Sequence, residues 1–244
     1  MCPWGGRAAV GARDYATGHR LVQPLFTRAA IYSGRMEAVL IQGVLLVAAG
    51  YLIGSLPMGV IVARVTGGRD PRSVGSGRTG GTNALRAMGP GRGMAVGLLD
   101  IAKGALPVLL AWAVGADALI QALAGVAAVL GSCRSIFLRL HGGRGVAAAI
   151  GAMLVIQPIA VVLSAPVFFG AIWLSRYVSL GSLLGSAAAG LLLFLLVAMG
   201  LNPPVALVFG IGAVGLVWLA HADNIGRLLS GQERKLESLG RDPA

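Results

Sequence analysis

Arginines set among glycines are the residues in this chain best suited to chemistry. Between Asp70 and Gly89 it reads DPRSVGSGRTGGTNALRAMG. Gly75, Gly77, Gly80 and Gly81 surround Ser76 and Arg78, and Thr82 and Asn83 lead into a helix-like stretch carrying Arg86. Glycine lets backbone N–H groups come close to a ligand, and a helix start behind such a turn attracts anions. Arginine adds the charged, forked donor that phosphate accepts. The segment reads as the floor of a phosphate-binding site. A second glycine turn, Gly142-Gly143-Arg144-Gly145, again places an arginine before a new apolar helix. A third segment runs from His221 through Asn224 and Arg227 to Glu233. Helical spacing puts His221, Asn224 and Arg227 near one face. Plainer readings exist for each: arginines beside spans set topology, and His221 can cap a helix C-terminus.

Two nucleotide motifs are excluded. Gly75-x-Gly77-x-x-Gly80 fits a dinucleotide fingerprint, and Gly75 to Thr82 nearly fits a P-loop. The P-loop needs Lys where Gly81 stands, and both need a βαβ unit. What precedes here is an apolar run of membrane-span length.

The elements that must position these residues are membrane helices. The chain is 56% hydrophobic and only 12% charged, where soluble domains carry about 25% charged residues. Its apolar runs are continuous rather than alternating, which disfavours a β-barrel. They fall at about 38–64, 94–114, 116–133, 143–157, 159–178, 180–200 and 203–220, so the expected fold is an all-α integral membrane protein of about seven transmembrane helices. Pro57 should kink the first. Gly50-x-x-x-Gly54 and Gly181-x-x-x-Gly185 are candidate close helix contacts. Asp100 and Lys103, at i and i+3 in the second span, read as a self-satisfied ion pair.

Loop charge sets the orientation. Arg69, Arg72, Arg78, Arg86 and Arg92, then Arg134, Arg139 and Arg144, then Arg176, then Arg227, Arg234, Lys235 and Arg241 all fall on one side. The opposite loops, near Asp117, Pro158 and Asn202, hold no Arg or Lys. The N-terminus of the first span is expected outside and the C-terminus in the cytoplasm. Residues 1–35 scatter arginines among small and polar residues without a signal-peptide core, and Met36 stands just before the first apolar run. They read as a disordered basic arm or a mis-assigned start. The net charge of +11 fits cytoplasmic loops meeting anionic lipid and substrate, and nucleic acid is not expected as a partner. No Cys/His cluster suggests a metal, and no cofactor is expected.

From about Met36 to Glu233 the chain resembles the PlsY-type membrane glycerol-3-phosphate acyltransferases. The resemblance rests on YLIGSLPMG at 51–59, VGSGRTGGTNALRAMG at 74–89, LLDIAKG at 98–104, HGGRGVA at 141–147 and HADNIGRLLSGQE at 221–233. It departs from the family pattern at Arg78, Thr79, Gly81, Ser132, Arg134, Ser135, His141 and Arg144, the last standing where members carry Lys. The resemblance implies a multi-span acyltransferase domain over 36–233, with 234–244 a short cytoplasmic tail. It implies transfer of a fatty acyl group from acyl phosphate to the sn-1 hydroxyl of glycerol 3-phosphate, by a monomeric enzyme of the inner (plasma) membrane with its active site on the cytoplasmic face. Ser76, His221 and Asn224 would be catalytic. Thr82, Asn83, Arg86, Gly142, Gly143, Arg144, Gly145 and Glu233 would bind substrate. Rival readings are a paralogue that is inactive or takes another acceptor, and a small anion transporter with a basic vestibule along Asp100 and Lys103.

Overall fold

Every apolar run in the sequence is helical in the computed structural model, which describes residues 36–236. The readings of residues 1–35 and of 237–244 lie outside the described residues. The chain divides into two compact units, Met1–Val44 and Leu45–Ala244. Of the first, the described residues belong to one helix; the second holds the rest of the architecture. No strand occurs among the described residues.

The helices are α1 (Met36–Gly54), α2 (Met58–Val65), α3 (Gly81–Met88), α4 (Pro90–Ala113), α5 (Ala118–Cys133), α6 (Val146–Ile156), α7 (Pro158–Ser175), α8 (Val178–Ala198), α9 (Ala206–Ala220) and α10 (Ala222–Leu229). α1, α4, α7, α8 and the segment containing α5 are long and apolar enough to cross a membrane, and α9 with α10 forms a pair bent by 58°. α6 has 11 residues, a rise of about 16 Å, which is roughly half of the hydrocarbon thickness. The described structure therefore holds five candidate spans, or six with the bent pair.

The kink expected at Pro57 is a full break between α1 and α2. It frees the Ser55 and Leu56 carbonyls, which in an apolar setting need donors. The Ser135 hydroxyl donates to Ser55 O at 2.5 Å, and the Lys103 ammonium donates to Leu56 O at 2.8 Å. Lys103 also pairs with Asp100 at 2.8 Å, with both side chains buried. The expected ion pair is present, and it also closes the break in the neighbouring helix.

Small residues let the backbones touch. A methyl group added at Gly54 would lie 2.1 Å from Ala128 O, and one at Gly50 would lie 2.6 Å from Ala124 O, so α1 packs flush on α5. Gly181 and Gly185 meet Phe168 and Ile172 of α7 in the same way. α4 and α6 approach through Gly104, against Ala148 O, and Gly151, against Ile101 O. Such contacts drive helix association where lipid leaves no hydrophobic force between helices. Phe209, Val108, Val129 and Leu193 fill the core among α4, α5, α8 and α9.

Gly151→Ala places Cβ 1.9 Å from Ile101 O, and overpacking of this kind costs about 1–3 kcal/mol. A thermal melt of the detergent-solubilised protein should show a clear loss of stability. Gly170→Ala, with open space around its Cβ, should leave the melting point unchanged or slightly raised.

Candidate active site

Asn83 organises the glycine-rich loop. Its side-chain amide nitrogen donates to the carbonyls of Pro71 (2.6 Å), Val74 (3.0 Å) and Arg78 (2.8 Å), and its oxygen accepts from the Ser76 N–H at 3.3 Å. Gly75 makes room for this: its φ is +54°, and a Cβ there would lie 2.4 Å from the Asn83 oxygen. Asn83 borders the cleft, but its hydrogen-bonding capacity is taken up by the loop. Its side chain therefore holds the loop in shape at the edge of the cleft, where the resemblance implies a substrate contact. Below the loop, Asp70 caps the 3-10 turn Pro71–Ser73 and holds Arg72 at 2.6 Å.

The loop borders a cleft of about 440 Å³. Ser76, Thr82, Asn83, Arg86, Gly143, Arg144, Gly145, His221, Asn224 and Glu233 all line it, so residues from three separated sequence segments converge on one space. Gly142 does not. It is buried behind the wall, its N–H donates to Cys133 O at 3.1 Å, and a Cβ there would lie 2.3 Å from Ser132 O. Its glycine is required by packing. Leu85, Met94, Ile150 and Phe168 make the remaining wall apolar.

Helix starts point at this space. Gly81 and Thr82 of α3, Val146 and Ala147 of α6, Val178 and Ser179 of α8, and Asn224 of α10 border the cleft, all in the first turns of their helices. Each such turn offers unpaired N–H groups and the positive end of the helix dipole. Gly145, with φ +77°, turns the chain into α6, and a Cβ there would lie 2.7 Å from Cys133 Sγ.

Charged groups complete the site. Arg144 reaches Asp223 at 3.1 Å, and Arg227 reaches the same carboxylate oxygen at 3.3 Å. Arg227 Nε also donates to Glu233 at 2.9 Å. The other Glu233 oxygen accepts from Asn224 at 2.7 Å and from the Ser179 hydroxyl at 3.0 Å. Glu233, which the resemblance implies binds substrate, thus holds the Ser179, Asn224 and Arg227 side chains in place. Burial pushes the Arg144 guanidinium below its ordinary value, Asp223 pushes it back up, and Arg78 lowers it further. Burial raises Asp223, but Arg144 and Arg227 carry it below the usual carboxylate range.

His221 sits at the bend between α9 and α10, with its Nδ1 2.8 Å from Val217 O. Burial, opposed by that hydrogen bond and reinforced by Arg144, pushes its pKa down to about 4. The ring is therefore neutral at pH 7, Nδ1–H donates to Val217, and Nε2 is left as an acceptor. His221 stands at the C-terminal cap of α9 and borders the cleft.

Ser76 Oγ, Arg86 Nε, Arg144 Nε and Asn224 Oδ1 are buried without a hydrogen-bond partner. Buried polar atoms are normally satisfied, so this cluster marks a place for a polar ligand. Sequence reasoning missed Ser179 as a cleft residue and named Lys103 and Asp100 only for the transporter reading; all three line the cleft. The only signal for Ser179 was a serine opening an otherwise apolar helix.

Helical throughout its described residues and holding a cationic cleft floored by glycine turns, the chain has the make-up of a membrane enzyme for anionic substrates. The model of the family described as glycerol-3-phosphate acyltransferase matches residues 44–231. A Dehalococcoides mccartyi protein named glycerol-3-phosphate acyltransferase 3 is 40% identical over 209 residues, 81% of this chain and 97% of its own. The glycerol-3-phosphate acyltransferase of Thermus thermophilus is 42% identical over 189 residues, 76% of this chain and 91% of its own. The chain belongs to the glycerol-3-phosphate acyltransferase family. Its fold is similar to the crystal structure of PlsY (YgiH), an integral membrane glycerol 3-phosphate acyltransferase, in the glycerol 3-phosphate form. That match has a TM-score of 0.74 at 36% identity and covers 81% of this chain and 97% of the other. The lysophosphatidic acid form matches with a TM-score of 0.71 at 33% identity, covering 80% and 95%.

The low pKa of His221 has a consequence for stability. The unfolded ring protonates near 6.5 while the folded ring resists protonation until about 4. Its contribution is present above pH 6.5 and is lost as pH falls from there toward 4. The shift corresponds to on the order of 3 kcal/mol. Melting curves of the parent should fall more steeply over this window than those of His221→Gln, which cannot titrate. Parallel curves would show that the ring is not buried in neutral form.

Proposed function

We propose that this chain acylates the sn-1 hydroxyl of glycerol 3-phosphate, taking a fatty acyl group from acyl phosphate and releasing lysophosphatidic acid and inorganic phosphate. Family membership supports the acceptor. The observation that carries the reading is the set of unpartnered polar atoms, Ser76 Oγ, Arg86 Nε, Arg144 Nε and Asn224 Oδ1, in a cleft that also has an apolar wall. Phosphorylated substrates with an acyl chain need both.

The chemistry asks mainly for positioning. The acceptor hydroxyl oxygen forms a bond to the acyl carbonyl carbon, the bond from that carbon to the bridging phosphate oxygen breaks, and phosphate leaves. Arg144 and Arg86 offset the charge of the bound phosphates, and the first turns of α3 and α6 present N–H groups to them. Asn224, its amide orientation held by Glu233, presents its oxygen to the acceptor hydroxyl. Ser76 donates to phosphate. The hydroxyl proton passes to a substrate phosphate oxygen. A phosphate with its second pKa near 6 can take that proton itself, and the neutral His221 orients through Nε2.

In this reading α1–α2 is one broken span, α6 a short one and α9 the last, which makes about seven. The protein acts as a monomer in the inner (plasma) membrane with its cleft at the cytoplasmic face. Support comes from loop charge: Arg78, Arg144 and Arg227 lie at the cleft, and the loops near Asp117, Pro158 and Asn202 carry no Arg or Lys.

The direct test is purified protein in detergent with acyl phosphate and glycerol 3-phosphate, followed by release of phosphate. Arg144→Ala should lower kcat/KM about tenfold to a hundredfold, the worth of a charge-assisted contact. Arg144→Lys should fall between Ala and parent, because it keeps the charge but loses the buried Nε donor. An active, folded Ala variant equal to the parent would reduce Arg144 to a topology charge.

Orientation is checked separately. Single cysteines at 78 and 202, in a background with Cys2 and Cys133 replaced, should be respectively protected from and open to an impermeant reagent in intact cells. The reverse pattern would overturn the topology.

A further inference from the structure

Arg234 borders the cleft, yet neither the sequence motifs nor the mechanism above employs it. The family match ends at residue 231, but Glu233, Arg234 and Leu236 continue along the cleft wall. The segment read from sequence as a tail beginning at 234 thus starts inside the site. It is held at both ends. Glu233 accepts from Ser179, Asn224 and Arg227, and the Leu236 N–H donates to Arg176 O at 2.8 Å. Between these anchors the backbone of Arg234 is fixed against the cleft.

The charge around it differs from that at Arg144. Arg144 and Arg227 share Asp223, and Arg227 also meets Glu233, so carboxylates offset much of that charge. Neither Arg86 nor Arg234 makes an ion pair or hydrogen bond with a carboxylate among the described residues, and Arg86 Nε is buried without a partner. Burial lowers the Arg86 guanidinium pKa, and the charge of Arg234 lowers it further, more than Glu233 raises it. Both guanidiniums border the same cleft, Arg86 partly buried and Arg234 exposed, and their like charges are unfavourable together until an anion joins them.

We propose that Arg234 and Arg86 form a second anion-binding pole that seats a phosphate monoester dianion, apart from the Asp223-bridged pole at Arg144 and Arg227. The cleft then has separate cationic seats for two phosphorylated substrates, a division suited to an acyl phosphate meeting a phosphorylated acceptor. The identity of those substrates rests on the acyltransferase reading; the anion pole does not.

The experiment uses the full chain in detergent and compares parent, Arg234→Ala and Arg234→Lys. Arg234 is exposed, so its replacement should not disturb folding. The readouts are KM for glycerol 3-phosphate and for acyl phosphate, kcat, and the affinity for inorganic phosphate by calorimetry. Arg234→Ala should raise KM for glycerol 3-phosphate, the phosphate monoester, about five- to thirtyfold, with phosphate affinity falling in parallel and kcat changing less, while Lys recovers most of the loss. If both KM values and phosphate affinity are unchanged in Ala while the parent turns over, the pole is refuted and the acyltransferase reading stands. If the parent shows no acyl transfer but Ala still weakens phosphate binding, the acyltransferase reading fails and the pole stands. A Lys variant as impaired as Ala also overturns the proposal, since charge would not then be what Arg234 supplies.

Discussion

A membrane interior offers no hydrogen-bond partner, so each polar group carried into it must be held by another group of the protein. The rest of this structure follows from that constraint. Breaking the first helix at Pro57 leaves two carbonyls in need of donors, and Ser135 and Lys103 supply them. Lys103 is in turn balanced by Asp100. The glycine-rich loop is a stretch of irregular backbone at the edge of an apolar bundle, and Asn83 answers its carbonyls from the first turn of α3. Glu233 gathers α8, α10 and the chain beyond α10 onto one carboxylate. These tethers fix the frame, and the groups left without partners are concentrated in the cleft.

Close backbone contact supplies the rigidity that positioning needs. α1 lies flush on α5 through Gly50 and Gly54, and α4 on α6 through Gly104 and Gly151. α6 starts at the glycine turn holding Arg144 and packs against α4, which carries Lys103. The seats of Arg144 and Lys103 are therefore set by one interface of small residues. Movement of about an ångström there would displace both, and catalysis by orientation is sensitive to shifts of that size.

The electrostatics of the cleft divide the labour among its residues. Asp223 and Glu233 keep the arginines at α10 from repelling each other, and they also orient the guanidinium and amide groups that face the cleft. His221 is neutral for the same reason: burial and the charge of Arg144 leave no room for another cation. A site this rich in positive charge favours a substrate that brings its own base, as a phosphate does.

The class of fold and the three segments that matter are legible in the order of residues alone. Hydropathy marks helices because only a helix satisfies its backbone internally in lipid, and glycine turns carrying arginine mark anion sites because few residue types permit both close approach and charge. Close contacts at Gly50, Gly54, Gly181 and Gly185 were legible from their spacing. The division of roles was not. Asn83 and Glu233 looked like ligand contacts, because residue type cannot say which partner a side chain faces; only packing showed their atoms engaged within the protein. Gly142 looked like part of a phosphate cradle and lies behind it. Ser179 and Arg234 carried no motif, since each enters the cleft through a contact more than fifty residues away in the chain, Ser179 with Glu233 and the Arg234 segment through Leu236 with Arg176. Local propensity is written along the sequence, whereas the closing of a polar site depends on which distant groups arrive with a free donor or acceptor, and that is decided when the helices pack.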